Sequence, residues 1–95
     1  MNELKTWAES FQAIWDGRKK YEVRKADRDF KLWNVVWLRE WDEKKQKYTG
    51  REIAANIVYV TEPGSFGLPK DVCVFGVHIY QKIDRNQEDA KAPKV

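Results

Sequence analysis

The sequence predicts an α+β domain, mostly β: a small mixed β-barrel of about five strands with one N-terminal helix packed across it. Three observations carry this. A single stretch near the N-terminus spaces its apolar residues as a helix does. The other apolar runs are rich in β-branched and aromatic residues and are separated by polar or Gly/Pro-bearing connections. The chain has 95 residues, room for one domain but not two. Five strands and one helix in so short a chain require a strongly curved sheet or a small barrel.

Each element has its own reason. Leu4, Lys5 and Thr6 suit an edge strand leading into the helix. Thr6-Trp7-Ala8-Glu9 fits a capping box, in which the Thr hydroxyl and the Glu carboxylate satisfy backbone amides reciprocally. Trp7, Phe11, Ile14 and Trp15 then form one helical stripe. Gly17 stands where a left-handed residue ends a helix without Cβ strain, so the helix is expected over residues 7–16. Residues 21–24 alternate, with Tyr21 and Val23 on one face and Glu22 and Arg24 on the other. Residues 25–31, with Asp27 and Asp29, read as a loop.

Residues 35–41 and 53–61 are β-rich. The charged segment 42–50 between them, ending in Thr49-Gly50, is expected to be a hairpin loop longer than two residues. Residues 62–70 hold Pro63, Gly64, Gly67 and Pro69 and form a connection. Residues 72–83 make a long final strand with Phe75, Val77 and Ile79 toward the core. The domain is therefore expected over residues 1–83. Residues 84–95 have little to bury and are expected to be a flexible tail.

A 42% hydrophobic content with five Trp favours a packed core over disorder. Cys73 is the single cysteine, so no intramolecular disulfide can form, and its apolar surroundings place it in the core. With no signal peptide and no long apolar stretch, a cytoplasmic location and no membrane contact are expected. Charge is uneven. Residues 17–31 hold seven cations (Arg18, Lys19, Lys20, Arg24, Lys25, Arg28, Lys31) and three anions (Glu22, Asp27, Asp29), so this window contains the whole excess of a chain whose net charge is +3. Such concentration suits a phosphate-binding patch, and equally a solvated loop.

Gly17-Arg18-Lys19-Lys20-Tyr21-Glu22-Val23-Arg24 fits the pattern G-x-K-x-x-E-x-R. With Leu4-Lys5 before the helix, Asp27-Arg28 after the signature, Leu38-Arg39-Glu40, and Tyr48-Thr49-Gly50-Arg51-Glu52, the chain resembles the ASCH domains of the PUA-like superfamily. The likeness is to a small ASCH-like subgroup of bacteria and their phages, and it covers nearly all of the domain. It implies a PUA-like barrel with a cleft beside the helix, lined by the signature. Related families bind RNA or modified nucleosides. Some relatives remove an acetyl group from modified cytidine, and nuclease activity is attributed to others. One departure is Trp33-Asn34, where the group carries a Gly-Asp turn; Trp does not replace Gly at a left-handed position.

The signature residues suit a nucleotide. Glu22 and Arg24 project from one face of a strand, and Lys19 can swing over that face. Arg24 offers a planar fork and Lys19 a point charge for phosphate. Glu22 can accept from a base amino group. A Lys-Glu-Arg network that merely pins the helix to the sheet is the alternative. Lys20 and Arg28 extend the basic cleft. Arg39 and Glu40 sit on opposite faces of their strand, so only one can face it. Tyr48, Thr49 and Arg51 could form a second wall, although hairpin polarity explains those three equally well. Trp33, Trp37 and Trp41 form an odd-position stripe, expected mostly in the core, with base stacking as the alternative.

The expected ligand is RNA, a nucleotide or a modified nucleoside, with no cofactor. A hydrolase acting on RNA or a modified nucleoside is the second reading, with Lys19 and Glu22 as its catalytic residues. The deacetylating relatives carry Thr where Glu22 stands, so their activity does not transfer directly. A non-catalytic module binding a host protein is the third. His78 and Cys73 have no metal-ligand spacing, and no metal is expected. The sequence leaves the oligomeric state open.

Overall fold

A computed structural model of the protein describes residues 2–86. Its strand β1 (Asn2–Trp7) runs directly into helix α1 (Ala8–Trp15), followed by β2 (Tyr21–Lys25), β3 (Val35–Asp42), β4 (Lys47–Thr61), a short 3₁₀ turn (Ser65–Gly67) and β5 (Val72–Asp84). The strands form one mixed sheet in the order β1-β3-β4-β5-β2. The β1–β3 pair is parallel and the others antiparallel. The sheet curls into a half-barrel with α1 across it, so the expected small α+β mixed barrel is the fold observed.

Alternation along the strands makes the core. Leu4 of β1, Val36 and Leu38 of β3, Ile53, Ala55 and Ile57 of β4, and Cys73, Phe75 and Val77 of β5 are buried in one cluster. Helix α1 adds Phe11 and Ile14, both fully buried. Its end is a Schellman motif: the Gly17 amide donates to Ile14 and the Arg18 amide to Ala13. That geometry needs a left-handed residue after the helix, and Gly17 supplies it with φ 81°.

The edge strands β1 and β2 face each other without a ladder between them, and arginine side chains span the gap. Arg24 donates through Nη1 to the Lys5 carbonyl at 3.0 Å and through Nη2 to the Thr6 hydroxyl at 2.9 Å. Arg28 donates to the Glu3 carbonyl at 2.8 Å. Carbonyls that a sixth strand would have satisfied are met by guanidinium groups instead.

Several expectations need correction. Thr6 is the buried penultimate residue of β1, donating to the Leu4 carbonyl at 3.1 Å, and the helix has no side-chain cap, so the capping box does not form. Trp7, placed on the buried stripe, is 62% exposed, because it ends a strand on the face opposite Leu4 and Thr6. Strand β4 begins at Lys47, so the hairpin loop shrinks and Thr49-Gly50 lies inside the strand. There the register between β3 and β4 shifts around Glu40, and Gly50, with φ 99°, accommodates the bulge. The core stripe of β3 is its even positions; Trp37 and Trp41 are half-buried on the other face and Trp33 is exposed. Trp33 itself adopts the left-handed conformation, φ 71°, that its size argued against.

The expected tail starts too early. Asp84 still pairs with Arg51, Arg85 reaches Glu52 at 3.1 Å, and Asn86 donates to the Thr49 carbonyl at 2.8 Å. The rest of that segment, residues 87–95, lies outside the described residues. No helix among the described residues is long and apolar enough to cross a membrane.

Candidate functional site

Strand β2 is inside out. Its apolar residues Tyr21 and Val23 face solvent, while Glu22, only 3% exposed, faces inward opposite the buried Phe75. An ionised side chain pays a large desolvation penalty in such a place unless it is paired. The partners are the ones the signature names. Arg24 Nη2 lies 2.7 Å from Glu22 Oε2 and Lys19 Nζ lies 3.9 Å from Oε1. Lys19, arriving from the turn after α1, also donates to the Ser10 hydroxyl.

These residues line the junction of β1, β2 and α1. One hollow of about 210 Å³ is bordered by Thr6, Trp7, Ser10, Lys19, Glu22 and Arg24, with Lys5 and Val23. An adjoining hollow of about 360 Å³ shares Trp7, Ser10 and Lys19 and adds Arg18 and Tyr21. Together they make a groove with a buried carboxylate at its base, lysine and arginine along it, and the exposed rings of Trp7 and Tyr21 on its flanks. Lys19 Nζ sits 5.2 Å from the Tyr21 ring centroid, within cation–π range.

The structure brings only part of the predicted set together. Lys19, Glu22 and Arg24 meet in the groove. Lys20 is exposed beside it, on the rim of a separate hollow with Trp15, His78 and Lys82. Arg28 is spent on the seam. The second wall does not form. Arg51 grips Glu40 with Nε–Oε1 at 2.8 Å and Nη2–Oε2 at 2.9 Å, and also donates to Gln12 at 2.6 Å, tying α1 to the sheet. Burial opposes ionisation of Glu40, but Arg51 and the Thr49 hydroxyl outweigh it and hold the carboxyl below its ordinary range. Arg39 and Tyr48 lie on the outer face, the guanidinium 3.9 Å from the ring centroid, and Arg39 also pairs with Glu3 and Glu52.

A division of labour follows. The predicted arginines build the barrel, where a planar fork can meet two acceptors at once, while Lys19, as shielded as Arg24, holds Glu22 and Ser10 at the groove. Sequence reasoning missed Ser10, Thr6 and the exposed position of Trp7. Trp7 and Ser10 are three residues apart and so share a side of the chain, but a Ser and a Trp so placed carry no signal of their own. No cluster of His, Cys, Asp or Glu fit to hold a metal occurs among the described residues.

The sequence matches the family described as a domain of unknown function, DUF3850, over residues 1–77. The chain belongs to this family. That span runs from β1 through α1 and the groove into β5, so every groove residue of this DUF3850 domain lies within it. The domain is also similar to a protein of Escherichia phage P2, described as an uncharacterized 12.9 kDa protein in the GpA 3′ region. The two are 34% identical over 62 residues, 65% of this chain and 55% of the phage protein. The chain thus spans about half the length of that relative.

Proposed function

We propose that this DUF3850 domain is an ASCH-like, PUA-like barrel that binds RNA or a nucleotide in the groove between β1, β2 and α1. The observation that supports this most is the burial of Glu22 between Lys19 and Arg24 at the base of an open groove. A strand that turns its carboxylate inward and its Tyr and Val outward is poorly designed for packing alone. In this reading Glu22 accepts from an exocyclic amino group of a base. Lys19, with Arg18 and Lys20 nearby, meets phosphate, and Trp7 or Tyr21 stacks on a base. Arg24 holds the seam and orients Glu22.

Fluorescence anisotropy with labelled single-stranded RNA at low salt tests this. Lys19→Ala should weaken binding on the order of tenfold, the usual size for a charge-assisted hydrogen bond. Wild-type protein that leaves the RNA unbound at low salt would overturn the reading.

The hydrolase reading rests on one further contact, the Ser10 hydroxyl held by Lys19 in the same groove. It puts a hydroxyl, an amine and the Glu22 carboxylate within reach of one ligand. Incubation with RNA and with acetylated cytidine, following strand integrity and acetyl release, separates turnover from binding. Turnover abolished by Glu22→Gln would make the domain an enzyme.

A further inference from the structure

The end of the sheet where β3 begins and β4 ends carries a different surface. A hollow of about 540 Å³ opens there between the loop of residues 26–34 and the end of β4. Its floor is apolar: Phe30 and Cys73 belong to the core cluster, with Val60 beside them, and Phe30 lies 4.8 Å from Phe75, centroid to centroid. Its rim carries Arg28 and Lys31 against Asp29 and Glu62. The charges cancel, in a chain whose net charge is +3, so nothing there draws a polyanion.

Three residues beyond Pro63, which lines this hollow, the chain projects Phe66 into solvent. The ring is 97% exposed and its backbone is left-handed, φ 51°, between Gly64 and Gly67 at φ 81°. A non-glycine residue in that conformation crowds its Cβ against the following carbonyl oxygen, and within one chain an exposed ring offsets none of that cost. Trp33, the other left-handed aromatic, stands at the same end and is 66% exposed. It follows Leu32, a wall of the hollow, and Tyr59 on the opposite wall is also exposed. Strain at exposed aromatics marks a surface built for contact.

We propose that this end is the twofold interface of a homodimer, in which Phe66 of each copy enters the hollow of the other. A knob and a hole on one surface are what an isologous interface requires, because each copy then offers both halves. The rim is also already neutralised within each copy, Lys31 pairing with Asp29 at 3.1 Å and Arg28 with Asp27. Copies of a basic chain approach with least repulsion where their charges cancel. Phe66, Trp33 and Tyr59 offer on the order of 400 Å² of ring surface per copy, about half of what a standard interface buries on each side. The groove holding Lys19 and Glu22 lies elsewhere, so this interface does not depend on the RNA reading.

Sedimentation velocity of the full chain over rising concentration tests it. Wild type should pass from monomer to dimer, and should do so at high salt too, since the contact is apolar. Phe66→Asn suits the left-handed turn while removing the ring, so it should keep the wild-type melting temperature. It should weaken association roughly tenfold for each ring lost, about a hundredfold per dimer. Leu32→Asp, on the hole, should do the same from the other side. Wild type that stays monomeric at every concentration overturns the proposal, as does a Phe66→Asn protein that dimerises as well as wild type. A monomeric wild type that instead retains a cellular protein lost by Phe66→Asn also overturns it, and gives the hollow a foreign occupant.

Discussion

Arg24 donates to the Thr6 hydroxyl at 2.9 Å, joining two edge strands that the backbone ladders leave apart. The same guanidinium holds Glu22 and the Lys5 carbonyl, so its loss opens the seam and leaves a buried carboxylate with Lys19 alone. Arg24→Ala is therefore expected to cost about 2–4 kcal/mol. Arg24→Lys should recover little, because an ammonium cannot reach acceptors in three directions with fork geometry. Chemical denaturation of the two variants measures this. A wild-type midpoint for Arg24→Ala would show that the seam is held by something else.

The double duty of Arg24 shows how far the sequence could be read. Alternation in residues 21–24 put Glu22 and Arg24 on one face, and that is where they lie. It could not say that this face points inward, because a strand reading Tyr-Glu-Val-Arg normally buries Tyr and Val. The inversion depends on β2 lying opposite β1 across the seam, a tertiary fact with no local trace. Trp7 failed for a related reason: helical spacing assigned it to the stripe of Phe11 and Ile14, but the chain is still a strand there. Gly17 was legible because a left-handed helix end has a local cause. Arg39, Tyr48 and Arg51 were near the signature only in family pattern; the bulge at Gly50 places Arg51 with Glu40, on the opposite face from Arg39 and Tyr48.

Phe11 and Trp7 share a sequence stripe and occupy opposite environments, which separates them experimentally. Phe11 is fully buried against Trp15, centroids 5.7 Å apart, and Phe11→Ala should cost about 3–5 kcal/mol. Trp7→Ala should stay within about 0.5 kcal/mol of wild type, as surface changes do. Thermal melts of both decide it; equal losses would put Trp7 in the core after all.

Acid should loosen the fold through Glu40 and Glu52. For Glu52, burial opposes ionisation, but Arg85 and the Trp37 indole outweigh it, and the carboxyl is held below its ordinary value of 4.5; Glu40 is held down in the same direction. A folded pKa below the unfolded one means that the unfolded chain binds more protons across that interval. The stabilisation is thus complete above the ordinary value and is lost as pH falls through the depressed folded values. Melting temperature should hold from neutrality to about pH 5 and then drop. Glu40→Gln should lower stability at neutral pH, where Arg51 loses its counter-charge, and should flatten the acid drop. An unchanged acid profile in Glu40→Gln would remove Glu40 from the account.

Stacking and charge in the groove can be told apart by salt. Trp7 stands on the flank with its ring exposed, so Trp7→Ala leaves the groove's ion pairs intact. If a base stacks there, the variant should lose about 1–3 kcal/mol of RNA affinity, with the slope of log K against log salt unchanged, because no counterion exchange is altered. Lys19→Ala should instead flatten that slope by about 0.7, the increment for one phosphate contact on a single strand. Glu22→Gln removes a negative charge from the base of the groove without changing its shape. Backbone binding should therefore tighten, while preference for bases bearing an exocyclic amino group should fall. Titrations of the three variants against homopolymeric single strands at two salt concentrations give all of these quantities. Parallel salt slopes for Lys19→Ala and wild type would mean that Lys19 meets no phosphate and serves only to hold Glu22 and Ser10. An unchanged base preference in Glu22→Gln would leave the buried carboxylate a structural group.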